Sequence, residues 1–154
     1  MGRGFRLLAA VLLVGFVLNF AWEIVQLPAF ADEAGKTFRL GIGASARHCF
    51  VPTLGDIIVV GLVFMLGWAI HSRHDWIRRL GWRDVLLVSL PLILLAISVE
   101  LVNVYVLHRW SYNERMPMVP LIEVGLLPTV QLALLTLVTF GIVGRIVARR
   151  STWS

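Results

Sequence analysis

The sequence predicts an all-α integral membrane protein, a four-helix bundle with both termini cytoplasmic. Three observations predict it. Four apolar stretches, at about 5–27, 52–71, 85–107 and 118–147, fill most of the 154 residues, and each approximates the ~20 residues that a helix needs to cross a bilayer core. Only 15% of the residues are charged and the mean hydropathy is +0.84, where a soluble domain carries about 25% charged residues. The basic residues are also sorted by side. Arg3 and Arg6 precede the first stretch, Arg73, Arg78, Arg79 and Arg83 lie between the second and third, and Arg145, Arg149 and Arg150 close the fourth. Lys36, Arg39, Arg47, Arg109 and Arg115 fall on the opposite side, mixed with Asp32, Glu33 and Glu114. The positive-inside rule then puts both termini in the cytoplasm and makes the chain a multi-pass protein of the inner (plasma) membrane. The basic excess belongs to topology and to attraction toward anionic lipid, so nucleic acid is not an expected partner. The length allows one domain.

The first span, 5–27, runs outward and carries Asn19, Glu23 and Gln26 at i, i+4 and i+7, one helical face, with Trp22 beside them. A second reading of this segment exists. Arg3 and Arg6, the apolar run and Ala29-Phe30-Ala31 before Asp32 follow the layout of a signal peptide cleaved after Ala31. The length of the run, and Trp22, Glu23 and Gln26 ahead of the cleavage point, favour an uncleaved span. The outer loop 28–50 contains Gly35, Gly41 and Gly43 and reads as irregular or as a short interfacial helix. Gly41-Ile42-Gly43 lacks the rest of a phosphate-binding fingerprint and is turn material. Cys49, the only cysteine, excludes an internal disulfide. Its spacing with His48 matches no metal-ligand pattern, so no metal is expected, and no motif names a cofactor.

The second span runs inward from Pro52, placing Asp56 one turn below the outer surface. The inner loop 71–84, with Trp76, Trp82 and four arginines, reads as a connector lying at the interface, with His71 and His74 solvated. The third span runs outward and raises Glu100 and Asn103, at i and i+3, to the level of Glu23. An outer run from His108 to Pro117 follows, including Arg109, Trp110, Tyr112 and Asn113. The fourth span starts inward with Glu123, and Gln131 lies two turns on.

All four spans therefore bring polar groups to one layer in the outer half of the membrane, and no comparable set exists in the inner half. An ionisable group at membrane depth costs about 2.5–3.5 kcal/mol on insertion scales and normally faces a bundle interior. Amides there often serve as interhelical glue, at roughly 0.6 kcal/mol per pair. That bland role suits Asn19, Gln26, Asn103 or Gln131 taken singly. A carboxylate is a costly choice where an amide would serve, so Glu23 and Glu100 point to function.

Trp110-Ser111-Tyr112-Asn113 followed by Pro120-Leu121-Ile122-Glu123 resembles the C-terminal motif of the heterodimeric-type lycopene cyclase domain, in which a Trp-x-Tyr-Asn run leads into a Pro-Ile-Glu-Glu helix. The resemblance covers about twenty residues; Ile122 replaces the first glutamate and the spacer is shorter. The rest of the chain resembles a small uncharacterised bacterial four-helix membrane family. The cyclase resemblance implies acid chemistry on an isoprenoid double bond, with Glu123 in the acidic position and Trp110 and Tyr112 in the aromatic ones.

Such chemistry needs an acid kept neutral until use, which burial favours, and π-faces that stabilise a cation by about 0.5–2 kcal/mol. The expected catalytic groups are Glu23, Glu100 and Glu123. The expected substrate-binding groups are Asn19, Trp22, Gln26, His48, Asp56, Asn103, Arg109, Trp110, Tyr112, Asn113 and Gln131. Three functions fit: cyclisation or isomerisation of an isoprenoid or other lipid; binding of a lipid, quinone or pigment without turnover, as an accessory protein; and small-scale transport. The empty inner half argues against the last. The partners expected are the bilayer and a membrane lipid or isoprenoid ligand, with a homo- or hetero-oligomer left open.

Overall fold

The computed structural model describes residues 2–31 and 42–150. Asp32, Glu33, Gly35, Lys36, Arg39 and Gly41 of the expected outer loop lie outside the described residues. Helix α1 (Arg3–Gln26) passes into a 3-10 turn, Leu27–Ala29. Helix α2 (Ile42–His71) is followed by a second 3-10 turn, Trp76–Arg79. Helix α3 (Trp82–Leu101) continues as a π-helical turn, Val102–Val106, and α4 (Leu126–Arg150) ends the fold. There is no β-strand among the described residues; two isolated antiparallel bridges pair Phe30 with Tyr112 and Met118 with Gly125. All four helices are long and apolar enough to cross a membrane.

The helices form a row more than a closed square. α1 and α4 pack together at the centre, α2 lies against α1, and α3 lies against α4, while α2 and α3 touch each other at most marginally. α4 is the pivot: half of its most apolar window is buried, against 28% or less for the others. One core joins all four, with Leu7 and Val11 of α1, Val60 and Phe64 of α2, Val88 and Leu92 of α3, and Phe140 and Val143 of α4. The start of α1, the end of α4 and the 74–78 loop border one groove, so both termini sit at the same end of the row. We call this the terminal end; the segments 27–31 and 107–125 close the far end.

Three elements differ from the sequence expectation, each for a local reason. α2 begins about ten residues before Pro52 and takes in Arg47, His48 and Cys49. Proline removes one helical N–H but does not end a helix whose neighbours re-satisfy the backbone; Thr53 Oγ1 donates to the Cys49 carbonyl at 2.8 Å, on the turn that Pro52 interrupts. α3 gains one residue per turn at Val102–Val106, with Leu107 N–H donating five residues back to the Val102 carbonyl at 2.8 Å. α4 starts eight residues later than expected. Prolines 117 and 120 and left-handed backbone at Leu121 (φ 73°) and Glu123 (φ 50°) instead make a tight turn, closed by Val119 N–H on the Val124 carbonyl and Leu126 N–H on the Pro117 carbonyl.

The inner connector is split between exposed and buried residues. Trp82 is 69% exposed, with the Arg83 guanidinium over its ring. Trp76 and Ile77 are buried in the terminal end of the bundle. The Trp76 indole N–H donates to the Phe64 carbonyl at 3.1 Å, and its ring stacks on His71. Gly144 makes this insertion possible, because a Cβ there would stand 2.7 Å from the Ile77 carbonyl oxygen.

Candidate functional site

The far end of the bundle gathers two polar groups that adjoin. The first is organised by Gln131, one turn and a half into α4 and buried. Its Nε2 donates to Glu23 Oε1 of α1 at 2.8 Å and to Asp56 Oδ2 of α2 at 2.8 Å, with Asn19 Oδ1 farther off at 3.5 Å. An amide nitrogen has two hydrogens, so the two short bonds use both. Gln131 Oε1 accepts from Gln26 Nε2 at 2.9 Å, and Gln26 Oε1 accepts from the Trp22 indole at 3.1 Å. Asn19 turns its own amide N–H onto the Gly15 carbonyl at 2.9 Å. The spacing of Asn19, Glu23 and Gln26 along one face of α1 makes this assembly possible. The result is an unbroken chain from Trp22 through two amides to a pair of carboxylates. Among the described residues no lysine or arginine is bonded to either carboxylate.

The second group surrounds Glu100, which is buried on α3. Its Oε2 accepts from the Trp110 indole at 3.2 Å and from the Tyr112 hydroxyl. Both donors reach the same oxygen. Phe30 closes over them, its ring centroid 6.4 Å from Trp110 and 5.7 Å from Tyr112. Burial, and then the bond to Glu100, hold the Tyr112 phenol well above the usual tyrosine range, so it remains a donor through neutral pH. Glu23 interacts electrostatically with Glu100, Asp56, His48 and Cys49, which places the two groups within range of one another. The π-helical turn Val102–Val106 directly follows Glu100 and contains Asn103, and such turns recur at functional sites.

Several residues singled out from the sequence sit here in other roles. Asn103 is buried and spends its amide on the Val99 carbonyl at 2.8 Å, while its Oδ1 takes Arg109 Nη1 at 3.4 Å. Asn113 is a clamp. Its Nδ2 donates to the Pro28 and Phe30 carbonyls at 2.9 Å each, its Oδ1 accepts from Arg115 N–H at 2.9 Å, and its own N–H donates to the Ala29 carbonyl. That leaves no side-chain hydrogen for a substrate. His48 is exposed on α2. Glu123 lies outside the cluster altogether: it is exposed in the turn before α4, its backbone carbonyl accepts from the Tyr105 hydroxyl at 2.8 Å and its N–H donates to the Val119 carbonyl at 3.1 Å. The expected position of Glu123 on a helix fails because the left-handed turn carries it to the rim. Among the described residues no group of three or more potential ligands could hold a metal ion.

Two features escaped the sequence reading. Phe30 had no signal, since one aromatic at a span end is ordinary. Gln131 appeared as one amide among several, and only its bonds to two other helices set it apart.

Asn113→Ala removes two side-chain bonds that tie the end of α1 to the 110–115 segment and a third within that segment. It is expected to lower stability by about 2–3 kcal/mol, because carbonyls at a packed helix end lose their donors. Denaturant titration in detergent, with trypsin cleavage near Arg115 as a local readout, measures it; unchanged cleavage and midpoint would show that the clamp carries no load.

Comparison of the chain with protein-family models, with curated proteins and with solved structures finds no match.

Proposed function

We propose that this is a four-span protein of the inner membrane, termini in the cytoplasm, whose far end performs acid–base chemistry on an isoprenoid or other unsaturated lipid. The observation that carries the reading is the carboxylate pair of Glu23 and Asp56 on the single nitrogen of Gln131. Two carboxyl groups inside an apolar bundle, with no lysine or arginine bonded to either among the described residues, are expensive, and glue does not need them. Chemistry does. One carboxyl, protonated, adds its proton to an alkene carbon; a neighbouring carboxylate removes a proton from the adjacent carbon and the double bond re-forms elsewhere. Electrons balance without an oxidant, and the pair ends with its proton count restored. Glu23 and Asp56 are the acid and base, and Trp22, Trp110 and Tyr112 supply π-faces for the cation. Of the three carboxyls expected from the sequence, Glu23 is kept, Asp56 takes the place of Glu123, and Glu100 holds Trp110 and Tyr112.

The row arrangement suits a lipid substrate. On this reading the lipid enters laterally between α2 and α3, which do not pack on each other. A transport path has little to follow, since among the described residues the buried polar side chains toward the terminal end are Thr136, bonded to its own helix, and Thr139. A relay needs titratable groups along its length.

The test uses protein purified in mild detergent and a polyisoprenoid lipid fraction in D2O. Wild-type protein is expected to introduce solvent deuterium into the lipid, read as a one-mass-unit shift per turnover, and Glu23→Gln and Asp56→Asn each lose at least 100-fold of that rate, the scale of a positioned acid or base. Binding without deuterium uptake by the wild type would replace catalysis with a carrier role. Full uptake by both variants would end the proposal.

A further inference from the structure

The terminal end holds a groove of about 540 Å³ that the acid–base site does not use. Its mouth carries Arg3 and Arg6 from the first turns of α1, and Arg78 from the 3-10 turn after α2. Leu7, Ala10 and Val14 continue one face of α1 down one wall; Val143, Ile146 and Val147 form the wall on α4. The volume falls within the range of pockets that take small ligands, ~300–1,000 Å³. One carboxylate, Asp75, also borders the mouth, together with His74. Asp75 is already neutralised: Arg73 bonds it at 3.2 Å and Arg78 at 3.5 Å, and the Arg73 bond holds its carboxyl below the usual aspartate range. The mouth therefore keeps a cationic excess, from Arg3 and Arg6, above an apolar slot.

A free anion would need the arginines alone. A cationic mouth continuous with an apolar slot about three helical turns deep matches a molecule with a charged head and a hydrocarbon tail. On the spanning reading above, which this inference rests on, the mouth lies at the cytoplasmic headgroup level, where basic pockets between helices meet anionic lipid. We propose that the groove binds one anionic glycerophospholipid, its phosphate held by Arg3 and Arg6 and one acyl chain laid between α1 and α4. The bound chain fills the space between the two central helices and so braces the row at the end opposite the carboxylates.

Native mass spectrometry tests this with full-length protein stripped of lipid in dodecyl maltoside, then offered chain-matched phosphatidylglycerol and phosphatidylcholine in equal amounts. One retained phosphatidylglycerol is expected, favoured at least tenfold over phosphatidylcholine. In Arg3→Gln/Arg6→Gln, both sites being exposed, its occupancy falls at least tenfold while the lipid-free melting temperature is unchanged; the seven other arginines on that side keep the topology. Ala10→Phe fills the slot and should exclude the lipid with the arginines intact. Equal retention of the two lipids, or full retention in the arginine variant, overturns the proposal. Displacement of the lipid by millimolar inorganic phosphate would assign the groove to a free anion and overturn it too. Release of the protein from membranes by alkaline carbonate would instead sink the spanning reading, whatever the groove binds.

Discussion

Gln131→Leu is expected to be the most damaging single change in the protein, at about 2–4 kcal/mol. Leucine fills similar space but leaves Glu23, Asp56 and Gln26 without their shared partner. A hydrogen bond to a charged group contributes about 1.5–3 kcal/mol, and an abandoned buried acceptor costs its full desolvation. Membrane helices soften this, because the separated helices also find polar partners in the reference state, which is why the range stops short of summing the bonds. Unfolding in mixed micelles, followed by far-UV circular dichroism, gives the number. A double-mutant cycle gives the reason. Asp56→Leu should cost stability in the wild type and cost nothing, or stabilise, in the Gln131→Leu background, since a carboxylate without a donor is a liability. Strictly additive losses would mean that Gln131 acts by packing alone.

Glu100 should separate structure from chemistry through two substitutions with opposite outcomes. Glu100→Leu strands the Trp110 indole and the Tyr112 hydroxyl and is expected to cost about 3 kcal/mol, loosening the 110–115 segment that Phe30 packs on. Glu100→Gln keeps the fold, because both donors converge on one carboxylate oxygen and a single amide oxygen can accept both. If Glu100 only positions the aromatic lid, Gln at this site retains most deuterium uptake. A loss above 100-fold with an unchanged melting temperature would instead add Glu100 to the proton-transferring groups. Equal stability of the Leu and Gln variants would refute the latch.

The contrast between Glu23 and Glu123 shows how far residue order reaches. Glu23 stands on a long apolar helix at i+4 from Asn19 and three before Gln26, so helical geometry alone puts it on one face with them. Glu123 follows Pro117 and Pro120, and its neighbours Leu121 and Glu123 itself adopt left-handed backbone that non-glycine residues seldom take. Propensity does not announce such a turn; the antiparallel bridge from Met118 to Gly125 imposes it. Pro52 misleads in the other direction, because a proline that reads as a boundary sits inside α2.

By itself, the order of residues determined the four apolar helices, their polar faces and the sorting of basic residues by side, since each depends on composition and on the 3.6-residue period. Tertiary structure decided everything that needs two helices at once. It chose a row with α1 and α4 central, inserted Ile77 beside Gly144, and gave Gln131 two carboxylates from two other helices. The physical reason is range. Hydropathy and helical period act within about ten residues, whereas a hydrogen bond from Gln131 to Glu23 spans 108 positions and exists only once packing has fixed the depth and rotation of both helices.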